Sequence, residues 1–336
     1  MVVDDGVIAA IEPGEWSSAI ETHVLVPGFI DVQVNGIGPI DVADADGADW
    51  DELDDRLLAQ GVTTWCPTLV TAPLDRYRSP LERIAAAAAR DAGRVRPTIA
   101  GAHLEGPFLG GAPGAHPPAL IRPPDLAWLQ ALPDIVRVVT LAPEAPGAID
   151  AIVHLCARGV LVSLGHSTAN YETALAAIDA GARLVTHCFN GMGPLHHRQP
   201  GLVGAALTDD RVAVSLITDL VHVHPAVVSL IFRAKSAHRV ALVTDAVAWE
   251  GDGDAPRLPD GTLMGATVTA DAALRNAVRR AGVSLVDAVT AASTTPANLL
   301  GLGDRGRIEV GKRADLVALG PDLTVDRTWV GGRTRG

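Results

Sequence analysis

The stretch VLVSLGHSTANYETALAAIDAGARLVTH, Val160–His187, decides the fold. It opens on an apolar run, Val160–Leu164, which stops at Gly165-His166-Ser167. A segment of helical spacing follows, Glu172–Ala180, and then a second apolar run, Leu184–His187, that again ends on a His. Near-continuous apolar runs suit strands buried on both faces, and a helix between two of them suits a parallel pair joined by a crossover.

The same alternation recurs on either side. Further runs lie at Phe29–Val34, Thr63–Val70, Thr98–Leu104, Val136–Ala142, Val212–Thr218 and Val240–Thr244, with helical stretches such as Leu81–Asp91 and Ile149–Ala157 between them. Eight strand–helix units predict an α/β fold, a (β/α)8 barrel, with a doubly wound open sheet as the alternative. Residues 270–301 read as helical, with Thr295-Pro296 opening the last helix. The two ends differ. Short strands are expected at Gly6–Ile11, Asp315–Leu319 and Thr328–Val330, so residues 1–26 and 305–336 are expected to pair into a small β domain beside a barrel spanning 27–304.

In a parallel barrel the active site lies at the C-terminal ends of the strands, so the first polar residues after each run matter most. The first run ends Asp31-Val-Gln33-Val-Asn35-Gly36, the third His103-Leu-Glu105-Gly-Pro107, the fifth at His166 and the sixth at His187. The seventh gives Thr218-Asp219 with His222 beyond, and the eighth Thr244-Asp245. Glu105, His166 and His187 therefore converge on one mouth as a set of the catalytic-zinc type, three protein ligands with open positions left. Asp245 arrives as an unpaired carboxylate able to serve as general base. Each has a plainer reading as a hydrogen-bonded loop residue, and Asp219 also reads as a helix N-cap. Cys188 is expected to point away from the mouth and pack inertly. His23, His154 and His238 lack motif context and read as structural or solvent-facing.

Composition narrows the classes. The chain has 336 residues, 48% of them hydrophobic, which excludes wholesale disorder. With 27 Lys+Arg against 39 Asp+Glu it carries a net charge of -12, which argues against nucleic acid and anionic membranes as partners. Three cysteines without a CxxC pair suit a reduced interior. No signal peptide and no run of 18 apolar residues is seen, so a cytoplasmic protein is expected.

Several motifs carry a resemblance. Pro27-Gly-Phe-Ile-Asp-Val-Gln-Val-Asn-Gly36 looks like the opening of an amidohydrolase-superfamily barrel. With Gly101-Ala-His-Leu-Glu-Gly-Pro107, Gly165-His-Ser167, Thr186-His-Cys-Phe-Asn-Gly-Met192, His196-His-Arg-Gln-Pro-Gly201, Val243-Thr-Asp-Ala246 and Asp260-Gly-Thr-Leu-Met-Gly265, the chain resembles the N-acetylglucosamine-6-phosphate deacetylase family from about residue 6 to its end. The resemblance implies hydrolysis of the N-acetyl group of a hexosamine 6-phosphate in a homodimer. Glu105, His166 and His187 would hold the metal and Asp245 would be the acid/base. His116 would contact the acetyl carbonyl, and Asn190 with the backbone of Gly191 would hold the phosphorylated end. Arg198 would meet the phosphate from the neighbouring subunit. His222 would sit against the sugar or its phosphate, and Leu263, Met264 and Gly265 would close over the ring.

Departures from the pattern are informative. Gln33 and Asn35 stand where many barrel hydrolases have His-x-His, and neutral amides are poor zinc ligands, so one divalent metal per chain, zinc, is expected. The segment from Asp245 to Gly265 is short and the chain starts late for the family, so the small β domain is expected to be truncated. Gly191 and Ala266-Thr267 replace the family's usual residues, which leaves an N-acetylgalactosamine 6-phosphate substrate as an alternative. A cyclic-amide hydrolase would more often carry His-x-His after the first strand and a strand-end Lys; Gln33 and Asn35 stand in place of the first, and no strand end carries a Lys. A non-catalytic sugar-phosphate-binding barrel would have no need for Asp245.

Overall fold

A computed structural model describes residues 1–12, 23–91, 93–251 and 255–334. Eight parallel strands form a nearly closed barrel: β1 (Phe29–Val34), β2 (Val62–Leu69), β3 (Ala102–Glu105), β4 (Val136–Leu141), β5 (Leu161–Leu164), β6 (Leu184–Val185), β7 (Ala213–Ile217) and β8 (Val240–Val243). They pair in chain order, as in Thr140 opposite Glu105 and Leu164 opposite Val185. Between β8 and β1 the ring closes just past the strand ends. Asp245 N–H donates to the Gln33 carbonyl at 3.1 Å, and Asn35 N–H donates to the Ala246 carbonyl at 2.7 Å.

Helices follow each strand: α1 (Asp49–Ala59), α2 (Arg78–Ala88), α3 (Leu126–Gln130), α4 (Ala148–Ala157), α5 (Tyr171–Asp179), α6 (Gly201–Thr208), α7 (Pro225–Lys235) and α8 (Ala270–Arg279). Local signals explain several of their starts. The Asn170 side chain caps α5 by accepting from Thr173 N–H, and Pro225 opens α7. Beyond α8, the helical segments Leu285–Val289, Thr290–Thr294 and Thr295–Leu299 run on as expected from the sequence.

One expected strand is split. Thr98–Leu104 becomes a two-residue strand, Thr98–Ile99, and β3, separated at Gly101. Gly101 has φ 143°, and a Cβ there would lie 2.1 Å from Arg137 Cγ and 2.7 Å from the Ile135 carbonyl oxygen. That backbone conformation breaks the ladder and suits only glycine.

Ile30, Val32, Cys66, Val138, Ile217 and Val243 form one buried cluster with Ala297 and Leu300. Side chains from strands on opposite sides of a ring meet only inside it, so this cluster fills the barrel. A polar layer ties several strands together. His103 Nε2 lies 2.7 Å from Thr140 Oγ1, Thr140 Oγ1 2.8 Å from Thr186 Oγ1, and Ser163 Oγ 2.5 Å from Thr186 Oγ1. Burial pushes His103 down to about 4, so the ring is neutral: its Nδ1–H donates to the Val32 carbonyl and its Nε2 accepts.

Both termini contribute separate sheets. Val24–Pro27 pairs antiparallel with Leu316–Leu319, followed by Val325–Val330 and Arg333–Thr334. The hairpin Val2–Asp4/Val7–Ala10 packs through Ile8 against Ala314 and Leu316. Of the expected terminal β region, residues 13–22 lie outside the described residues, as do 252–254 of the short segment before Gly265. No helix among the described residues is long and apolar enough to cross a membrane.

Candidate active site

Glu105 is the last residue of β3, and His166, His187 and Asp245 follow within two residues of the ends of β5, β6 and β8. The last three leave their strands with φ of 49°, 31° and 49°. Left-handed backbone is unfavourable for non-glycine residues and clusters at functional sites. Here it turns each chain sharply over the barrel end. Gly265 approaches Asp245 at the same place: with φ 60°, a Cβ on it would lie 2.8 Å from the Asp245 carbonyl oxygen, which accepts from Ala266 N–H.

The donor atoms of the expected metal set meet at one point. Glu105 Oε1 is 3.1 Å from His166 Nε2 and 2.8 Å from His187 Nε2, and the two Nε2 atoms are 3.1 Å apart. All three residues are buried. A four-coordinate zinc with bonds of about 2.0–2.1 Å separates its ligand atoms by roughly 3.3 Å, so the set fits such an ion. His166 is oriented for this role, because its Nδ1–H donates to the Ala112 carbonyl at 3.1 Å and directs Nε2 toward Glu105 and His187. Glu144 braces both loops involved, accepting from Gly111 N–H, Thr168 N–H and Ser167 Oγ–H. His187 Nδ1 is buried without a hydrogen-bond partner.

The charges are strongly coupled. Burial pushes Glu105 up, but the hydrogen bonds from His166 and His187 outweigh it and hold the carboxyl well below the usual range. Burial pushes His187 down, and the Glu105 hydrogen bond reverses this, raising it to about 9. Asp245 is pushed up to about 7 by burial and by the Glu105 charge. His116 is pushed down to about 3 by burial and by His166.

His116 stands beside this group, with Nε2 3.9 Å from Glu105 Oε2 and its ring edge-on to His166. Glu105, His116 and His166 also offer ligand atoms within 4.8 Å of one another. The Thr71 N–H is 3.4 Å from His116 Nδ1, however, and the Thr71 hydroxyl 2.8 Å from it. With Nδ1 accepting, the neutral ring carries its proton on Nε2, which makes that atom a donor and not a ligand.

A cavity of about 430 Å³ opens above these residues, a size typical of small-molecule sites. His116, Asn190, Gly191, His222, Leu263, Met264 and Gly265 all line it. Arg198 does not: it is exposed on the 196–199 turn, with Nη1 2.9 Å from His197 Nε2. Among the described lining residues there is no Lys or Arg. His222 Nδ1 donates to Asp219 Oδ2 at 2.6 Å, while Asp219 Oδ1 takes the N–H groups of Val221 and His222. Asp219 thus caps the turn that presents His222. Burial opposes its ionisation, but the His222 hydrogen bond outweighs it and keeps the carboxyl below its usual range. Cys188 lies in the hydrophobic core, where burial pushes its thiol up to about 12.

A model of the amidohydrolase family matches residues 24–335. The chain belongs to the amidohydrolase family. An N-acetylgalactosamine-6-phosphate deacetylase of Escherichia coli O157:H7 is 42% identical to this amidohydrolase over 98% of the chain and 93% of its own length. The crystal structure of the N-acetylglucosamine-6-phosphate deacetylase of Thermotoga maritima superposes with a TM-score of 0.92 at 33% identity, covering 99% of this chain and 93% of the other. A mutant of the Mycobacterium smegmatis N-acetyl-D-glucosamine-6-phosphate deacetylase, in complex with N-acetyl-D-glucosamine-6-phosphate, superposes with a TM-score of 0.87 at 34% identity, covering 98% and 92%.

Sequence reasoning left three features of the amidohydrolase site unread. Asp41 and Thr68 also line the cavity. Asp31 accepts from Gln33 N–H, Thr244 N–H and the Thr244 hydroxyl, and burial pushes it up to about 6. A carboxylate inside a mostly apolar, fully buried strand was the available signal. Gln33 and Asn35, weighed only as absent metal ligands, both hydrogen-bond to Asp245.

Proposed function

We propose that this chain hydrolyses the N-acetyl amide of N-acetylglucosamine 6-phosphate to acetate and glucosamine 6-phosphate, in amino-sugar catabolism in the cytoplasm. The observation that carries the reading is the meeting of Glu105 Oε1 with the Nε2 atoms of His166 and His187 at the floor of the cavity that Asp245 and His116 also line. Those three residues would hold one divalent transition metal, zinc. When bound, the cation supplies Lewis-acid polarisation of the acyl carbonyl and acidifies a water. Asp245 takes the proton of the attacking water and returns it to the leaving nitrogen. A group pushed up to about 7 is poised for both transfers. The His116 Nε2–H donates to the acyl oxygen as negative charge builds there. Asn190, the Gly191 backbone and His222 hold the phosphorylated end, and Leu263–Gly265 cover the ring.

Acetate release from N-acetylglucosamine 6-phosphate, measured before and after chelation, tests this reading. Activity lost on chelation and restored by zinc is expected; release unaffected by chelation would sink it. The 42% identity to an N-acetylgalactosamine-6-phosphate deacetylase favours one second reading, the C4-epimeric substrate, so both sugars belong in the assay.

Asp41, Glu105 and Asp245 line this cavity, and no Lys or Arg of the described lining offsets them. A cation from outside is needed, which supports Arg198 reaching in from the partner of a homodimer. A guanidinium on a phosphate contributes about 1.5–3 kcal/mol. Arg198→Ala should lower kcat/KM for the phosphorylated sugar by about 10- to 100-fold and barely change the weak activity on the unphosphorylated one. Mixing Arg198→Ala chains with Asp245→Asn chains should restore some activity, because mixed dimers keep one intact site. Equal losses on both sugars would make Arg198 structural.

A further inference from the structure

We infer that Gln33 and Asn35 are positioning residues that clamp Asp245 by its Oδ1, so that Oδ2 is the oxygen that takes up and returns the proton. The inference rests on Asp245 being the base proposed above. Gln33 Nε2 donates to Asp245 Oδ1 at 3.0 Å, and Asn35 Nδ2 donates to the same oxygen at 2.8 Å. All three side chains are buried. An oxygen already receiving two N–H donors is the wrong one to protonate, since a proton there would be brought against both amides. Oδ2 receives no protein hydrogen bond among the described residues and keeps its lone pairs for the reaction.

Asn35 supplies an independent sign that the clamp is built for Asp245. Its own Oδ1 is buried with no hydrogen-bond partner. Buried acceptors are normally satisfied. Turning the amide over would press its oxygen against the carboxylate, so the acceptor is left unmade for the sake of the donor. The clamp also stands on rigid backbone. Asp245 N–H donates to the Gln33 carbonyl, Asn35 N–H to the Ala246 carbonyl, and Asp31 grips Gln33 N–H and Thr244 together. The seam that closes the barrel is therefore the mount that aims the base. Two neutral amides hold and stabilise the anion there without binding a metal themselves.

Gln33→Met and Asn35→Leu keep side-chain volume and remove the N–H donors. On the metal-loaded enzyme, each should lower kcat about 10-fold or more through misplacement of the base. KM for N-acetylglucosamine 6-phosphate and metal content should stay within about twofold. In an Asp245→Asn background neither change should lower the residual rate further, because the effect runs through the carboxylate. Wild-type kcat in both single variants, or an equal fractional loss in the Asp245→Asn background, would overturn the clamp. If Asn35→Leu does not fold with its metal, Gln33→Met decides alone. Near-normal turnover in Asp245→Asn itself would overturn the base assignment and the clamp with it, an outcome separate from an inactive Asp245→Asn beside unaffected amide variants.

Discussion

Asp245→Asn is expected to lower turnover about 10²–10⁴-fold, the range that positioned acid/base groups contribute, while metal content and fold are retained. The substitution keeps the shape of the side chain and leaves an oxygen that Gln33 and Asn35 can still reach. What it removes is an atom that can carry a proton at a place where burial and the Glu105 charge have brought the carboxyl to about 7. Steady-state acetate release, with elemental analysis of the same preparation, measures both quantities. Turnover close to wild type would move the base elsewhere.

The second large effect concerns the metal. Elemental analysis of the purified protein should approach one divalent transition metal per chain, and Glu105→Gln or His187→Ala should lose both the ion and the activity. Each change removes one of three protein donors that lie within 3.1 Å of each other. The loss in affinity should exceed the 10–100-fold that follows from removing a mere hydrogen-bond partner of a ligand. Two tightly held ions per chain would defeat the single-site reading. Gln33 and Asn35 already spend their amide donors on Asp245 and offer no second imidazole pair.

Most of the architecture was legible because burial leaves a one-dimensional trace. Strands covered on both faces become continuous apolar runs, and the runs Phe29–Val34 and Val240–Thr244 mark β1 and β8 to within a residue. The exception at Gly101 shows what that trace omits. An apolar run does not reveal where a ladder must break, because the break depends on Arg137 of the neighbouring strand and on Ile135 just before it.

The residues of the candidate site divide along the same line. Glu105, His166, His187 and Asp245 were visible in the sequence because all strands of a parallel barrel end at one rim, so topology alone gathers their last polar residues. The sequence by itself determined the fold class, that rim and the residue types on it. Only the tertiary structure decided what those residues do to one another. It turned His116 into a donor through Thr71, left the described cavity wall without a Lys or Arg, and brought Gln33 and Asn35 onto an aspartate more than 200 residues away. The physical reason is range. Periodicity records which face of an element is buried, whereas a hydrogen bond forms only within about 3 Å, between atoms that the closing of the barrel brings together.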